Sequence, residues 1–248
     1  MPHRELPNSN PTATFCLTTM RDKYVYTTNP AQRAIDATLF AQLDPAIPGN
    51  LANRYFQAGV DLGIAVSART ALTGPLSASA DRLKMLVSHF HQVLDMGIVR
   101  GDFQPNARTY YGRDFNATSI PDLSNQSLVN AAAAQIAPGE IRRQTAEGAS
   151  FIAMTLPNAS DIEGTLADFA ADSGLAGEAD DLVNEKQEAQ SALLGDVLPL
   201  CKDLCDAVEY FNRHDADPAS FRAKCSEWGV SYIADTVPPP PVPPVTPP

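Results

Sequence analysis

Leu83, Leu86, Val87, Phe90, Val93, Leu94, Gly97 and Ile98 recur every three or four positions with polar residues between them. That spacing collects them on one face of a coil with 3.6 residues per turn, and it predicts an α-helix over about 80–98. The same period runs through LANRYFQAGVDLGIAVSARTAL (51–72), which the following TGP is expected to end. Gly59 and Gly63, four apart, leave room there for a neighbouring backbone. Upstream, TNPAQRAIDATLFAQL (28–43) predicts one helix, with Asn29 as its cap and Pro30 at its first position.

The pattern lapses over 101–124, where an irregular loop is expected that is longer than most connections inside a compact domain. Helix resumes at NQSLVNAAAAQIA, should break at APGE, and continues in GEIRRQTAEG. Ser160 and Glu163 suit a capping box opening a helix at DIEGTLADFAAD. A last long helix is expected from near Leu175 to Phe211, with Leu194, Leu198, Cys201, Cys205 and Val208 as a seam and a bend where Pro199 meets Gly195. Asp217, Pro218 and Gly229 mark the cap, first turn and exit of a short closing helix. The pattern as a whole predicts an all-α, multi-helix bundle. It has an extended N-terminal arm (1–28), a bundle domain (29–233) and a proline-rich tail (234–248) in extended polyproline form.

Composition narrows the function. The chain has 29 acidic against 18 basic residues, a net charge of −11 that would repel a phosphate backbone, so no nucleic-acid partner is expected. No stretch is apolar for long enough to cross a bilayer, so no membrane insertion is expected. The first twenty residues carry no apolar core of a secretory signal, which makes the cytoplasm the default compartment.

His89 and His91 form an H-x-H pair, a spacing that binds metals on a strand. On a helix the two rings point about 200° apart, so no metal site and no cofactor is expected. A metal- or small-molecule-binding enzyme using His89, His91 or His214 with nearby carboxylates is the alternative. Cys201 and Cys205, four apart on a helix, place their Cβ atoms about 5–6 Å from each other, too far for a disulfide. Full oxidation would therefore need Cys16 and Cys225 each to bridge to one of them, and four buried thiols are the simpler expectation. A zinc site from Cys201, Cys205, Cys225 and His214 is a further alternative. Nucleophile elbows, phosphate loops, HExxH and ExxH spacings are all missing, which weighs against catalysis.

Phe103, Arg108, Tyr110, Tyr111, Arg113 and Phe115 interleave rings with guanidinium groups in the 101–124 loop, a composition favoured at protein interfaces. Trp228 and Tyr232 belong to a basic, aromatic island with Arg213, His214, Arg222 and Lys224. Packing onto the bundle is the competing explanation for both sets. Asn116, Asn125 and Asn158 head N-x-[ST] triplets.

At HFHQV (89–93), TYYGRD (109–114), IPDLS (120–124) and FRAKCSEWGVSY (221–232) the chain resembles a group of uncharacterised bacterial all-helical proteins, over about residues 80–233. Some of those proteins carry further C-terminal modules where this chain has prolines. The resemblance implies a helical fold and no assigned activity. The expectation is a structural or interaction protein, with itself or another protein as partner, self-assembling through its loop, termini and last helices.

Overall fold

The computed structural model describes residues 3–233, and the fold is all-α. Among these residues are helices α1 (Asn10–Tyr26), α2 (Ala37–Leu43), α3 (Leu51–Arg100), α4 (Ala107–Tyr110), α5 (Gln126–Glu147), α6 (Ala159–Asn212) and α7 (Pro218–Ser226). The strands β1 (His3–Glu5) and β2 (Ser231–Ile233) pair antiparallel, with Arg4 opposite Tyr232. The proline-rich segment 234–248, expected to be extended, lies outside the described residues. Among the described residues, no helix is long and apolar enough to cross a membrane.

The expected bundle domain resolves into two compact units. Of the described residues, 3–64 together with 184–233 form the first, and 65–183 form the second. Both boundaries fall inside helices, because α3 and α6 each continue from one unit into the other.

Several helices are longer than the sequence suggests, and prolines account for it. Pro75, Pro138 and Pro199 lie within α3, α5 and α6 respectively, where TGP and APGE were expected to stop the chain. A proline ring displaces the carbonyl four residues back. Here those residues are Ala71, Ala134 and Gly195, and they are exposed along with the prolines themselves. Water can then satisfy the freed carbonyls, so the helices continue. The helix expected at 175 is likewise the middle of α6, which starts at Ala159. Its cap is Asn158 and not Ser160: the Asn158 side chain accepts from the Asp161 N–H at 2.7 Å.

The first unit corrects two further expectations. Residues 10–26 are helical, where an extended arm was expected. The Ser9 N–H donates to the Thr12 hydroxyl at 3.1 Å, Pro11 sits in the first turn, and Ala13, Cys16, Leu17, Met20 and Tyr24 form the buried face. The single helix expected over 28–43 is two pieces, a 3₁₀ turn (Pro30–Gln32) capped by Asn29 and α2 capped by Asp36. Tyr24 stacks on Phe40 with centroids 3.9 Å apart, and the Arg33 guanidinium lies 4.3 Å from the centre of the Tyr24 ring. Val197, Leu200, Cys201, Leu204, Cys205 and Val208 of α6 complete the core beneath α1. The seam expected on this helix is present, with Leu194 and Leu198 half-buried at its start. Of the two glycines singled out on α3 to admit a neighbouring backbone, Gly59 admits a side chain instead: a Cβ there would lie 2.9 Å from the Gln190 amide, whereas a Cβ on Gly63 would meet nothing within 4 Å.

All four cysteines are free, buried thiols of this core. Hydrogen bonding with Cys201, reinforced by burial, pushes the Cys16 thiol up to about 12. Hydrogen bonding with Cys16 and burial raise Cys205 as well. A thiol kept protonated is a poor nucleophile. Native protein at pH 8 is therefore expected to react with a thiol-exchange reagent at less than about one site in minutes, and at all four in denaturant; rapid native labelling of Cys16 or Cys205 would contradict this packing.

The second unit packs Leu83, Val87, Phe90 and Leu94 of α3 against Val129, Ala133 and Ile136 of α5 and Ile162 and Phe169 of α6. Each such large apolar side chain contributes about 1.5–3 kcal/mol on burial. The helix expected over 80–98 is present and buries its predicted face.

Candidate functional site

The 101–124 segment is the stretch whose chemistry stands out, and in the second unit it is fixed by two charged clusters. Asp95 of α3 anchors the first. Arg113 grips its carboxylate with both terminal nitrogens, at 3.0 and 2.9 Å, and Arg108 adds a third bond at 2.8 Å. The same guanidinium groups reach back to the loop: Arg113 donates to the Ser119 carbonyl at 2.6 Å and Arg108 to that of Phe115 at 3.4 Å. One carboxylate on a rigid helix thus holds two points of the loop backbone. Burial works against the charge on Asp95, but the hydrogen bonds from Arg113 and Arg108 outweigh it and set this carboxyl below its usual range.

Arg143 of α5 anchors the second cluster and has no exposed surface. It donates to Glu140 at 2.9 Å, to Glu147 at 3.1 Å, to the Tyr111 hydroxyl at 2.8 Å and to the Ile152 carbonyl at 2.7 Å. The Tyr111 hydroxyl in turn donates to Glu140. Burial and the Glu140 charge both push this phenol above its ordinary range. The Phe103 and Phe151 rings lie 4.8 and 4.5 Å from the Arg143 guanidinium carbon. Two glycines make the approach of the aromatic rings possible. A Cβ on Gly139 would fall 2.5 Å from the Tyr111 ring, and one on Gly97 would fall 2.4 Å from Phe103.

Six loop residues were expected to offer a contact surface, and burial redistributes their roles. Tyr111 and Arg113 are buried, Phe103, Arg108 and Tyr110 are half-buried, and Phe115 is 50% exposed. Packing therefore accounts for most of them. Beside the loop, a groove of about 620 Å³ runs past Asp114, Ser119 and Asp122 over Leu128, Ala131 and Ala132 of α5. Leu128, 37% exposed, lines this groove, and Phe115 follows its lining residue Asp114 in the loop. The chain matches no protein-family model, no curated protein and no solved structure.

His89 and His91 both sit on α3, as the periodicity requires, but in unlike surroundings. His89 is exposed and lines a shallow groove with Leu86, Met96 and Leu156. His91 is fully buried, and neither ring nitrogen has a hydrogen-bond partner, which corrects the expectation of a polar neighbour for each ring. Burial, together with repulsion from Arg113, lowers its pKa to about 4 against the pull of Asp95. Among the described residues, no group of three His, Cys, Asp or Glu side chains is placed to hold a metal ion.

In the first unit the basic, aromatic island divides. Trp228 is 4% exposed in the core, and Tyr232 is half-buried, donating to Glu209 at 2.7 Å. Arg213 lies 3.6 Å from the Tyr210 ring and 3.3 Å from His214, on an exposed groove. Asn125 and Asn158, which read as modification triplets, are helix caps: Asn125 accepts from the Leu128 N–H at 3.0 Å, as Asn158 does from Asp161.

The residues missed in the sequence are Asp95, Glu140 and Arg143. The E-x-x-R-x-x-x-E spacing of Glu140, Arg143 and Glu147 was the available signal for the second cluster, because it puts both carboxylates within reach of one guanidinium on a single helix face.

Proposed function

We propose that this chain is a structural protein that acts through surface contact and associates with further copies of itself. The observation that supports this reading is the clamped loop. Two arginines anchored on Asp95 hold the Phe115 and Ser119 carbonyls, so an exposed phenylalanine is presented from a preorganised backbone, in a loop whose residues Asp114 and Ala117 on either side of it line an alanine-floored groove. Preorganisation lowers the ordering cost that usually weakens loop-mediated contacts. An exposed aromatic ring held on a rigid backbone is the kind of residue that dominates such an interface.

Light scattering across a hundredfold range of protein concentration tests this. The full chain is expected to increase in mean mass with concentration, and Phe115→Asp should shift the midpoint at least about tenfold higher with its circular dichroism unchanged. A monomer's mass throughout, or assembly indifferent to Phe115→Asp, would overturn the proposal.

A further inference from the structure

A cavity of about 200 Å³ opens in the first unit where the chain leaving β1 passes the first turns of α1. Leu6, Pro7, Pro11 and Phe15 form apolar walls, and Cys16 and Cys205 line its buried side. The walls are fixed by the fold. Pro11 is locked into the first turn of α1, and the two thiols belong to the packed core. Gly229, also lining the cavity, adopts φ +87° and lies so close to α1 that a Cβ on it would be 3.0 Å from Thr19. Phe15 keeps 59% of its surface in solvent although it occupies the middle of a helix that otherwise buries one face. Its contact with the cavity gives that exposure a use.

The lining also selects by charge. Glu5 is the carboxylate in the lining, and it would repel an anion. The thiols are held as uncharged, polarisable S–H groups, which favour contact with an aromatic edge and supply no counter-charge. An apolar cavity of roughly 150 Å³ is large enough to bind benzene, so this one admits one or two fused rings.

We propose that this cavity is a binding site for a small, uncharged, planar apolar molecule of one or two rings. The site is independent of the contact face on the second unit. Indole and its carboxylate derivative, indole-3-carboxylate, are suitable probes because they share a ring system and differ in charge. Titrated into the full chain and followed by NMR, indole is expected to bind saturably at one site, shifting the Leu6 and Thr12 methyl resonances. The carboxylate should bind at least about tenfold more weakly, since its charge would be desolvated beside Glu5. Phe15→Ser, at an exposed position the fold tolerates, should weaken indole by at least about fivefold through loss of the aromatic wall. Absence of saturation, equal affinity for the two probes, or affinity unmoved by Phe15→Ser would each overturn the proposal.

Discussion

Arg143→Ala is expected to destabilise the second unit by about 3–5 kcal/mol, the largest effect of any single substitution proposed for this chain. The side chain is entirely buried, and removing it leaves Glu140 and Glu147, 13% and 20% exposed, without their counter-charge. It also strips the Ile152 carbonyl and the Tyr111 hydroxyl of a donor. Arg143→Lys should recover little, because a single ammonium cannot replace a planar fork that serves four acceptors. Glu140→Gln should cost less than Arg143→Ala, since Glu147 would still balance the guanidinium. Hydrogen exchange resolved by peptide is the appropriate measurement, with loss of protection expected over 101–154. A change below about 1 kcal/mol would mean that the cluster is ordinary surface electrostatics.

Acid is expected to weaken the same unit in two steps of known sign. An unfolded histidine titrates near 6.5, whereas buried His91 is lowered to about 4. Above pH 6.5 both states are neutral there and the residue adds nothing to the pH dependence. Between 6.5 and 4 only the unfolded state takes up the proton, so stability falls by about 3 kcal/mol at roughly 1.4 kcal/mol per pH unit, then levels off. Asp95 acts at lower pH: its carboxyl is also depressed, so its contribution is present above about 3.9 and is lost as pH falls through its folded value. In His91→Leu the decline between 6.5 and 4 should vanish while the step below 4 remains. At neutral pH the substitution should be neutral or gain about 1 kcal/mol, because two buried nitrogens without hydrogen-bond partners are removed. Urea midpoints at half-unit pH intervals for both chains make the comparison. A parallel decline in the variant would assign the slope to other groups.

What could be read from the sequence was local. The helix around Phe90 was legible because its apolar positions keep one period, and α7 because Asp217, Pro218 and Gly229 each play a local backbone role. The first helix keeps the same kind of period at Ala13, Cys16, Leu17, Met20 and Tyr24, but exposed Phe15 and Val25 blur the contrast between its faces and its start, NPT, reads equally well as extended chain. The loop's composition was visible but its wiring was not. Arg113 meets Asp95 eighteen positions away and Tyr111 meets Arg143 thirty-two away, separations that no spacing rule encodes. Proline was the most misleading signal. Its cost in a helix depends on whether the displaced carbonyl faces water, and that is a tertiary fact.

The division of the first unit between two distant stretches has a consequence for synthesis. Leu17 and Met20 on α1 are covered by residues from Val197 onward, yet the whole 65–183 stretch must leave the ribosome before those residues exist. At about 5–20 residues per second that delay is on the order of ten seconds. During it, the apolar face of the nascent α1 has only the early part of its native cover, from residues such as Ile35, Phe40, Leu43 and Tyr55, and lacks the part that α6 supplies, so this is the interval in which a chaperone has most to bind.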